Sequence, residues 1–338
     1  MSTKNRSNPS IFWAGCDLAK ASFDLAIWGH QAMSDMHTRH VQRKASEIPA
    51  VLDWLRQSAP EGAHLGILME ATGAFSEETA RWFLALDPGL IIAIVNPTQT
   101  CAFIRSLGLR NKTDLLDAKA LARYGHDRCP VPWEPSTEEL VQLRDLVRTR
   151  AELVDAQTAM KLRLKDHERS SKTATTALEQ VIATLGVQIK ILDAEIETMI
   201  DGNELWKAQS KHFRSIKGIG PVTVATVLAE LGDLRRFLRS RQLTAFAGVS
   251  PRNKDSGTSV HGKARMCKQG SARVRATLYM AASCAARFNP DMKKVYERLV
   301  SQGKERRSAL GAVMRKLLVL MRALVKSDKD YIPCLVAA

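Results

Sequence analysis

Four acidic residues in the first part of the chain have the type and spacing of metal ligands. Asp17 and Glu70 each stand at the end of a short apolar run, and Asp114 and Asp117 lie three positions apart at the start of a helical pattern. Side chains three apart on a helix are neighbours, so the last two carboxylates can point to one place. Clustered carboxylates repel one another unless divalent cations neutralise them, and their hard oxygen atoms suit Mg²⁺. Two such ions about 4 Å apart could hold the attacking and leaving oxygens of a phosphodiester.

Each of these acids also fits a structural role when it is taken alone. Asp17 fits a turn at a strand end, Glu70 fits a surface acid, and Asp114 with Asp117 fits a favourable negative charge at the positive end of a helix. The metal-binding interpretation therefore requires a fold in which the two strand ends lie beside that helix.

The elements around the acids predict an α/β domain. Four apolar or alternating runs are predicted strands, the first two as an antiparallel hairpin: 11–18, 23–28, 64–70 and 90–95. Helical spacing predicts three helices: 45–58, 76–86 and one that begins at Asp114 and ends at Gly125. Because strands alternate with helices along the chain, these elements indicate a mixed sheet.

Two long helices are predicted after segment 127–136, whose three prolines are typical of a domain edge. In the second helix, apolar residues from Leu178 to Met199 alternate steps of four and three, the heptad pattern of a helix packed along a partner. The first helix, about 137–169, is apolar but looser in register. The pair fits an intramolecular hairpin or a contact between subunits, and the sequence leaves both open.

The positive charge is concentrated in the second half of the chain. The net charge is +15, and the stretch from Arg235 to Lys326 alone holds 22 lysines and arginines against four acids. Such a field attracts polyanions, and nucleic acid is the first candidate. The six cysteines include no Cys-x-x-Cys pair, and no apolar run approaches the roughly 20 residues of a membrane helix. These observations predict a cytoplasmic nucleic-acid-binding protein with no membrane partner, disulfide framework or zinc cluster.

Beyond Trp206 the pattern predicts helices and loops without clear strands, and the longest non-periodic stretch is 248–270. Residues 213–232 (FRSIKGIGPVTVATVLAELG) have the apolar-Gly-apolar-Gly turn of a helix-hairpin-helix element. In such an element Gly218 and Gly220 let backbone N–H groups face a DNA phosphate at the start of the next helix. An ordinary Gly-Pro turn between helices is the alternative.

The order of these motifs resembles one protein family. GCDLAK, EATG and GLRNKTDLLDA resemble the motifs of the RuvC-like, RNase H-fold domain of the DEDD transposases of bacterial insertion sequences. LTAFAGVSPR, the DSG triplet and the RVRATLYMAA helix resemble the second region of the same family. The resemblance covers nearly the whole chain. It implies that Asp17, Glu70, Asp114 and Asp117 bind Mg²⁺, with Mn²⁺ as a substitute, and that these acids are catalytic.

In this family the serine of the DSG triplet, which is Ser256 here, is implied to attack the DNA phosphate. Thr258 and Ser259 are close chemical rivals, and spacing alone does not choose between the three hydroxyls. A phosphoserine link would conserve the bond energy of the broken strand for rejoining. The expected nucleic-acid-binding residues are Gly218, Gly220, Arg252, Lys254, Lys263, Arg265, Lys268 and Arg273.

The resemblance also implies the architecture. The fold class is α/β plus all-α: a RuvC-like, RNase H-like mixed-sheet domain, a long coiled-coil hairpin, and a mainly helical domain with the helix-hairpin-helix. The expected divisions are a disordered start at 1–10, the RuvC-like domain at 11–130, the linker and paired helices at 131–205, the transposase domain at 206–330 and a tail at 331–338.

Partners are implied by the resemblance as well. They are target and donor DNA, a structured guide RNA, and further copies of the chain in a homodimer or homotetramer whose domains complete one another's active sites. The expected location is the bacterial cytoplasm, in association with the nucleoid.

Two other functions remain open from the residues themselves. A structure-specific junction endonuclease would use the carboxylates to activate water, with Ser256 only structural. A helix-hairpin-helix nucleic-acid binder on a degenerate nuclease scaffold would have no activity, and the complete set of four acids argues against it.

Overall fold

The computed structural model describes most of the chain as two compact units, residues 1–135 and 136–338. The described residues are 11–28, 35–108, 113–167, 171–256 and 260–334, and the side chains of 167, 253–256 and 260–264 are outside the description. The predicted disordered start at 1–10 therefore lies outside the described residues. The finer five-part division stays a prediction.

A five-stranded mixed sheet forms the centre of the first unit. Its strands are β1 Ile11–Leu18, β2 Ser22–Ile27, β3 Thr38–Gln42, β4 His64–Glu70 and β5 Ile91–Val95. The order across the sheet is β3-β2-β1-β4-β5; β1, β2 and β3 pair antiparallel, whereas β1, β4 and β5 pair parallel. The predicted hairpin and mixed sheet are confirmed, and the sheet is consistent with an RNase H-like domain. The edge strand β3 was not predicted, because Val41 is its one buried residue.

Helices cover both faces of this sheet. They are α1 Ile48–Ser58, α2 Ala74–Leu86, α3 Pro97–Ser106 and α4 Asp114–Arg128. One core cluster joins β1 and β2 to α1 and α2, and a second joins Trp13 to Leu121 of α4. The apolar side chains that alternate along each strand therefore have a helix to pack against on either side.

The predicted end of α4 at Gly125 is wrong. The helix continues to Arg128 and ends at Cys129, whose φ of 42° is left-handed. Gly125 lies inside the helix. A Cβ at this position would come within 2.8 Å of the Trp13 ring, which explains why the residue is glycine. This glycine lets the helix approach the sheet, and it is not a stop signal.

The second unit is mainly helical around one apolar core. Its helices are α5 Glu138–His167, α6 Lys172–Gly202, α7 Glu204–Arg214, α8 Pro221–Leu231, α9 Ser240–Phe246, α10 Ala272–Phe288, α11 Pro290–Ser301 and α12 Arg306–Ser327. Within the described ranges, no helix is long and apolar enough to span a membrane.

The two long helices α5 and α6 pack along each other as an antiparallel hairpin within one chain. Arg150 pairs with Asp193 at 2.7 Å, and the amide of Gln157 donates to the carbonyl oxygen of Ile182 at 3.0 Å. Of the two arrangements that the heptad pattern left open, the intramolecular hairpin is the one present in the structure.

A β-hairpin interrupts the helices of the second unit. Strands β6 Pro251–Ser256 and β7 Val260–Met266 pair antiparallel, with an irregularity between Arg252 and Lys254. The prediction that this half holds helices and loops without clear strands is therefore wrong. The stretch lacks the alternation of apolar and polar residues by which a half-buried strand is recognised, since almost every residue in it is polar or small.

Candidate active site

Asp17 and Glu70 lie on neighbouring strands at the same end of the sheet. In the parallel pair of β1 and β4, Cys16 stands opposite Met69, so that the next two residues are Asp17 and Glu70. Because side chains alternate between the faces of a sheet, paired neighbours share one face. Both side chains are partly buried. The register thus brings together two acids that are more than 50 residues apart in the sequence.

A close contact between backbones brings the start of α4 to this end of the sheet. Gly15 shares its strand face with Asp17, two residues away. A Cβ on Gly15 would lie 2.1 Å from the carbonyl oxygen of Ala118 and 2.3 Å from the nitrogen of Ala122. The backbone of α4 therefore rests directly on β1. Since Asp117 immediately precedes Ala118, this contact carries the first turn of α4 toward Asp17.

The first turn of α4 is built around its cap. The hydroxyl of Thr113 accepts a hydrogen bond from the N–H of Leu116 at 3.3 Å, and the N–H of Asp117 donates to the carbonyl of Thr113 at 2.9 Å. Asp114 is exposed and Asp117 is partly buried. Carboxylates are stabilised at this position by the helix dipole, so the same geometry serves the helix and a cation site.

The charges of the four acids converge on Asp17. Burial, followed in decreasing order of size by the negative charges of Asp114, Asp117, Glu70 and Asp24, raises the pKa of Asp17 from 3.8 to about 6. The structure thus places the other three sequence-predicted acids within electrostatic range of Asp17. Negative charge gathered at a partly buried position is unfavourable, and a bound cation would relieve it.

Sequence reasoning missed Asp24. The register of β1 with β2 places Asp24 directly opposite Asp17, and its carboxylate lies 2.9 Å from Nδ1 of His40 on β3. The signal was present in the predicted hairpin, because a tight connection after Leu18 pairs Asp17 with Asp24. Asp24 becomes a neighbour of Asp17 only in this strand register, which is set by the length of the turn between β1 and β2.

The donor set fits a hard divalent cation. It consists of carboxylate oxygens whose mutual repulsion already raises a pKa, and Asp17, Glu70, Asp114 and Asp117 would hold the ion. In the part of the chain that the structure describes, no three His, Cys, Asp or Glu side chains lie close enough together to share a metal ion. Binding would therefore have to draw the carboxylates inward from their present separation.

The predicted glycine turn of the second unit lies between α7 and α8. Gly218 has a φ of 109°, and a Cβ there would come within 2.8 Å of Ala285 in α10, so this glycine is required by both backbone and packing. Gly220 caps α8 and has open space beyond its Cα. Of the two predicted phosphate-facing residues, Gly220 is the one with room for a ligand.

Predicted nucleic-acid-binding cations lie at the base of the β-hairpin. Arg252 and Arg265 stand directly opposite each other on β6 and β7, and both are exposed. Lys268 is also exposed and has a left-handed φ of 57°. Arg273 pairs with Glu152 of α5 at 3.1 Å. Two like charges on opposite strands destabilise a hairpin unless a polyanion lies against them.

The backbone of Ser256 ends β6, where it pairs with Val260. The side chains of Ser256, Lys254 and Lys263 lie outside the described residues, as do Thr258 and Ser259 altogether. The role of Ser256 therefore stays a prediction.

Relatives of this chain are found among proteins that move or invert DNA segments. A pilin gene-inverting protein of Moraxella lacunata is 28% identical over 321 residues, 94% of this chain and 97% of that protein. A transposase for insertion sequence element IS1111A from Coxiella burnetii is 26% identical, with 97% and 93% covered. A probable family 20 transposase of Pseudomonas aeruginosa is 26% identical, with 94% and 98% covered.

Two family models match separate parts of the chain. Residues 14–168, which include the four acids, match the transposase model named for the DEDD transposases of IS110. Residues 210–297, which include the glycine turn and the β-hairpin, match the model described as Transposase IS116/IS110/IS902 family. Together the two matches take in more than two thirds of the chain. The chain therefore belongs to the IS116/IS110/IS902 family of transposases.

Proposed function

We propose that this family member exchanges DNA strands with a cation-bound acidic site and a serine nucleophile. Family membership makes it a DNA-processing enzyme whose acidic domain uses a divalent metal. The observation that carries the finer proposal is the convergence of negative charge on Asp17 from β4 and α4. In this proposal Asp17, Glu70, Asp114 and Asp117 hold Mg²⁺, and Ser256 attacks the phosphate.

The reaction conserves the phosphodiester in two balanced steps. The Oγ of Ser256 forms a bond to phosphorus, the bond from phosphorus to the departing strand breaks, and that strand leaves as a hydroxyl with the serine's proton, which solvent relays. In rejoining, the hydroxyl of another strand attacks the phosphoserine and Ser256 regains its proton. Water is not consumed, so the bond energy is kept. A bound divalent cation supplies polarisation of the phosphate oxygens.

The exposed cations of the β-hairpin bind the DNA backbone in this scheme. Arg252 and Arg265 lie on the same hairpin as Ser256, and a phosphate between them would turn a repulsive pair into two ion pairs. Gly220, with open space at the start of α8, offers a second phosphate contact that reads no sequence.

Guide RNA and self-association are further parts of the proposal. A net charge of +15 can serve two polyanions, and in this proposal a structured RNA occupies part of the basic surface. The protein would act as a dimer or tetramer. Sequencing RNA that copurifies with the protein, and light scattering with and without that RNA, test these two parts separately.

The products could be an inversion instead of a transposition. The Moraxella relative is named a pilin gene-inverting protein, and it aligns with nearly all of this chain. Strand exchange between two sites gives inversion or excision according to their relative orientation. A plasmid that carries the sites in each orientation, scored by amplification across the new junctions, separates the two outcomes.

Recombination in cells tests the scheme as a whole. The plasmid carries the reading frame with its flanking non-coding DNA, and the readouts are new junctions and DNA bound covalently to protein. Ser256→Ala and Asp114→Asn should each abolish both signals. Ser301→Ala and Asp53→Asn are matched controls, because these residues are exposed in α11 and α1 and should leave both signals unchanged.

Three results would contradict the scheme in different ways. Recombination that survives Asp114→Asn excludes the acidic site. A covalent adduct that survives Ser256→Ala shows that another residue is the nucleophile, and Thr258 and Ser259 are the next residues to substitute. Cleavage that yields simple nicks and no adduct in the unsubstituted protein supports the junction endonuclease.

A further inference from the structure

We propose that Thr100, in the first turns of α3, is a positioning residue that holds Glu70 for the divalent cation of the acidic site. The inference rests on the proposed function, since it assumes that Glu70 binds a cation. Thr100 lies outside the motifs that drew attention to the four acids, and its side chain is buried, with 1% of its surface exposed.

The fold brings Thr100 to Glu70 through the end of β5. Glu70 pairs with Val95 across the sheet, and the N–H of Ala71 donates to the carbonyl of Val95 at 2.9 Å. Asn96 then caps α3 by accepting a hydrogen bond from the N–H of Thr98 at 2.9 Å. The first turn of α3 is thereby set against the carboxylate that ends β4, and Thr100 faces it.

The hydroxyl of Thr100 has two acceptors and one proton. It donates to Oε1 of Glu70, and it also lies 3.0 Å from the carbonyl oxygen of Pro97 in its own helix. A hydrogen bond to a charged carboxylate is about twice as strong as a neutral one. Because the hydrogen bond engages Oε1, the carboxylate can present Oε2 to a cation while Thr100 still holds it. Thr100 can thus hold one carboxylate oxygen without trapping it.

Thr100 also couples Glu70 to the helix that carries Asp114 and Asp117. Three residues beyond Thr100, Phe103 packs edge-on against Tyr124 of α4, with ring centroids 5.1 Å apart. α3 therefore contacts both the strand and the helix that supply acids to the site. A positioning role through this helix explains why a buried polar side chain is placed where an apolar one would pack.

The test compares Mn²⁺ binding by variants of the full chain. Thr100→Val removes the hydroxyl at nearly constant shape, and Thr100→Ser keeps it. Thr79→Val is the matched control, because Thr79 is fully buried in α2 of the same unit and its hydroxyl has no hydrogen-bond partner among the described residues. Electron paramagnetic resonance of free Mn²⁺ gives the affinity without any DNA reaction.

Loss of a partner that orients a metal ligand commonly weakens metal binding about 10- to 100-fold, and we expect that loss for Thr100→Val. Thr100→Ser and Thr79→Val should bind Mn²⁺ as the unsubstituted chain does. Melting temperatures without metal establish that each variant is folded. If Thr100→Val does not fold, Thr100→Ala makes the same comparison with a smaller side chain.

Failure of this inference is distinct from failure of the proposed function. Equal Mn²⁺ affinity in Thr100→Val and the unsubstituted chain, with both folded, overturns the role of Thr100 and leaves the acidic site intact. Equal weakening in Thr100→Val and Thr79→Val also overturns it, because the effect would then follow from any buried threonine. An unsubstituted chain that binds no Mn²⁺ overturns the metal site itself.

Discussion

The two units carry their candidate functional residues in opposite ways. In the first, Asp17 lies two positions from Gly15, where the backbones of β1 and α4 touch. In the second, Arg252 and Arg265 are exposed on a hairpin whose described apolar contact with the core is made by Met266. The acidic site is therefore a product of packing, whereas the basic surface is added to a core that does not depend on it. Substitutions should link function to stability in the first unit and separate the two in the second.

Gly15→Ala should have the largest effect. The added methyl group would meet the backbone of α4 at 2.1 Å, and backbone cannot move aside as a flexible side chain can. Forcing β1 and α4 apart should destabilise the first unit by about 3 kcal/mol or more. It should also abolish Mn²⁺ binding, because the first turn of α4 carries Asp114 and Asp117. Chemical unfolding followed by circular dichroism measures the first effect.

Gly89→Ala is the control for that prediction. A Cβ at Gly89 would meet one side-chain oxygen of Asp87 at an ordinary 3.4 Å, and its backbone is not left-handed. It should change neither the free energy of unfolding nor Mn²⁺ binding. Near-normal stability in Gly15→Ala would break the proposed link between packing and site in the first unit.

Asp17→Asn should have an intermediate effect of opposite sign on stability. The pKa of Asp17 is raised from 3.8 to about 6, so the folded state is penalised when this carboxyl is charged. The penalty is absent below pH 3.8, develops as the pH rises to 6 and is complete above it. After a discount for partial exposure, Asp17→Asn should stabilise the metal-free protein by about 1–2 kcal/mol at pH 8.

The metal reverses that comparison. Mg²⁺ should stabilise the unsubstituted chain and leave Asp17→Asn nearly unchanged, since ligand binding stabilises only a form that binds. Urea unfolding at pH 4.5 and pH 8, with and without Mg²⁺, gives the free energy of unfolding of each variant under these four conditions. Asp53→Asn, at an exposed site on α1, should show neither effect. The quantity to compare is the free energy of unfolding of metal-free Asp17→Asn minus that of the unsubstituted chain. If this difference is smaller at pH 8 than at pH 4.5, the account is refuted.

The same contrast explains what the sequence could predict. β1 and β4 were predicted because each strand is an apolar run that ends near a charged residue, and Asp114 and Asp117 because they begin a helical pattern. The family motifs lie at these same places. Asp24 and Thr100 were missed because they become neighbours of the acids only through register and helix docking. The contact of Thr100 with Glu70 joins distant segments, about which local periodicity carries no information, whereas the contact of Asp24 with Asp17 depends on the register of the hairpin.

Where the prediction failed, a residue had a role that local rules assign to something else. The sequence pattern predicts a helix stop at Gly125, whereas in the structure this glycine allows the close approach of α4 to Trp13. α3 was not predicted, although Asn96, directly after the predicted strand 90–95, caps this helix. Strands β6 and β7 were missed because polar strands outside a core lack the apolar alternation that burial imposes.

Arg265→Gln should have the smallest effect on stability and isolates the basic surface from the fold. Arg265 is exposed and stands opposite Arg252, so its loss removes a like-charge pair and should change the free energy of unfolding by less than about 1 kcal/mol, in the stabilising direction. DNA affinity should nevertheless fall, and the slope of log affinity against log salt should decrease by about 1, the loss of one phosphate contact.

Arg163→Gln removes the same charge from an exposed position on α5 and therefore controls for net charge. If Arg265 acts through a specific phosphate contact, its variant should lose more affinity than the Arg163 variant at every salt concentration, because long-range attraction is weakened equally in both. Equal losses would mean that the hairpin contributes only to the overall field. Fluorescence anisotropy with a labelled duplex over a range of salt concentrations distinguishes these outcomes, and parallel unfolding curves establish whether function in the second unit is independent of its stability.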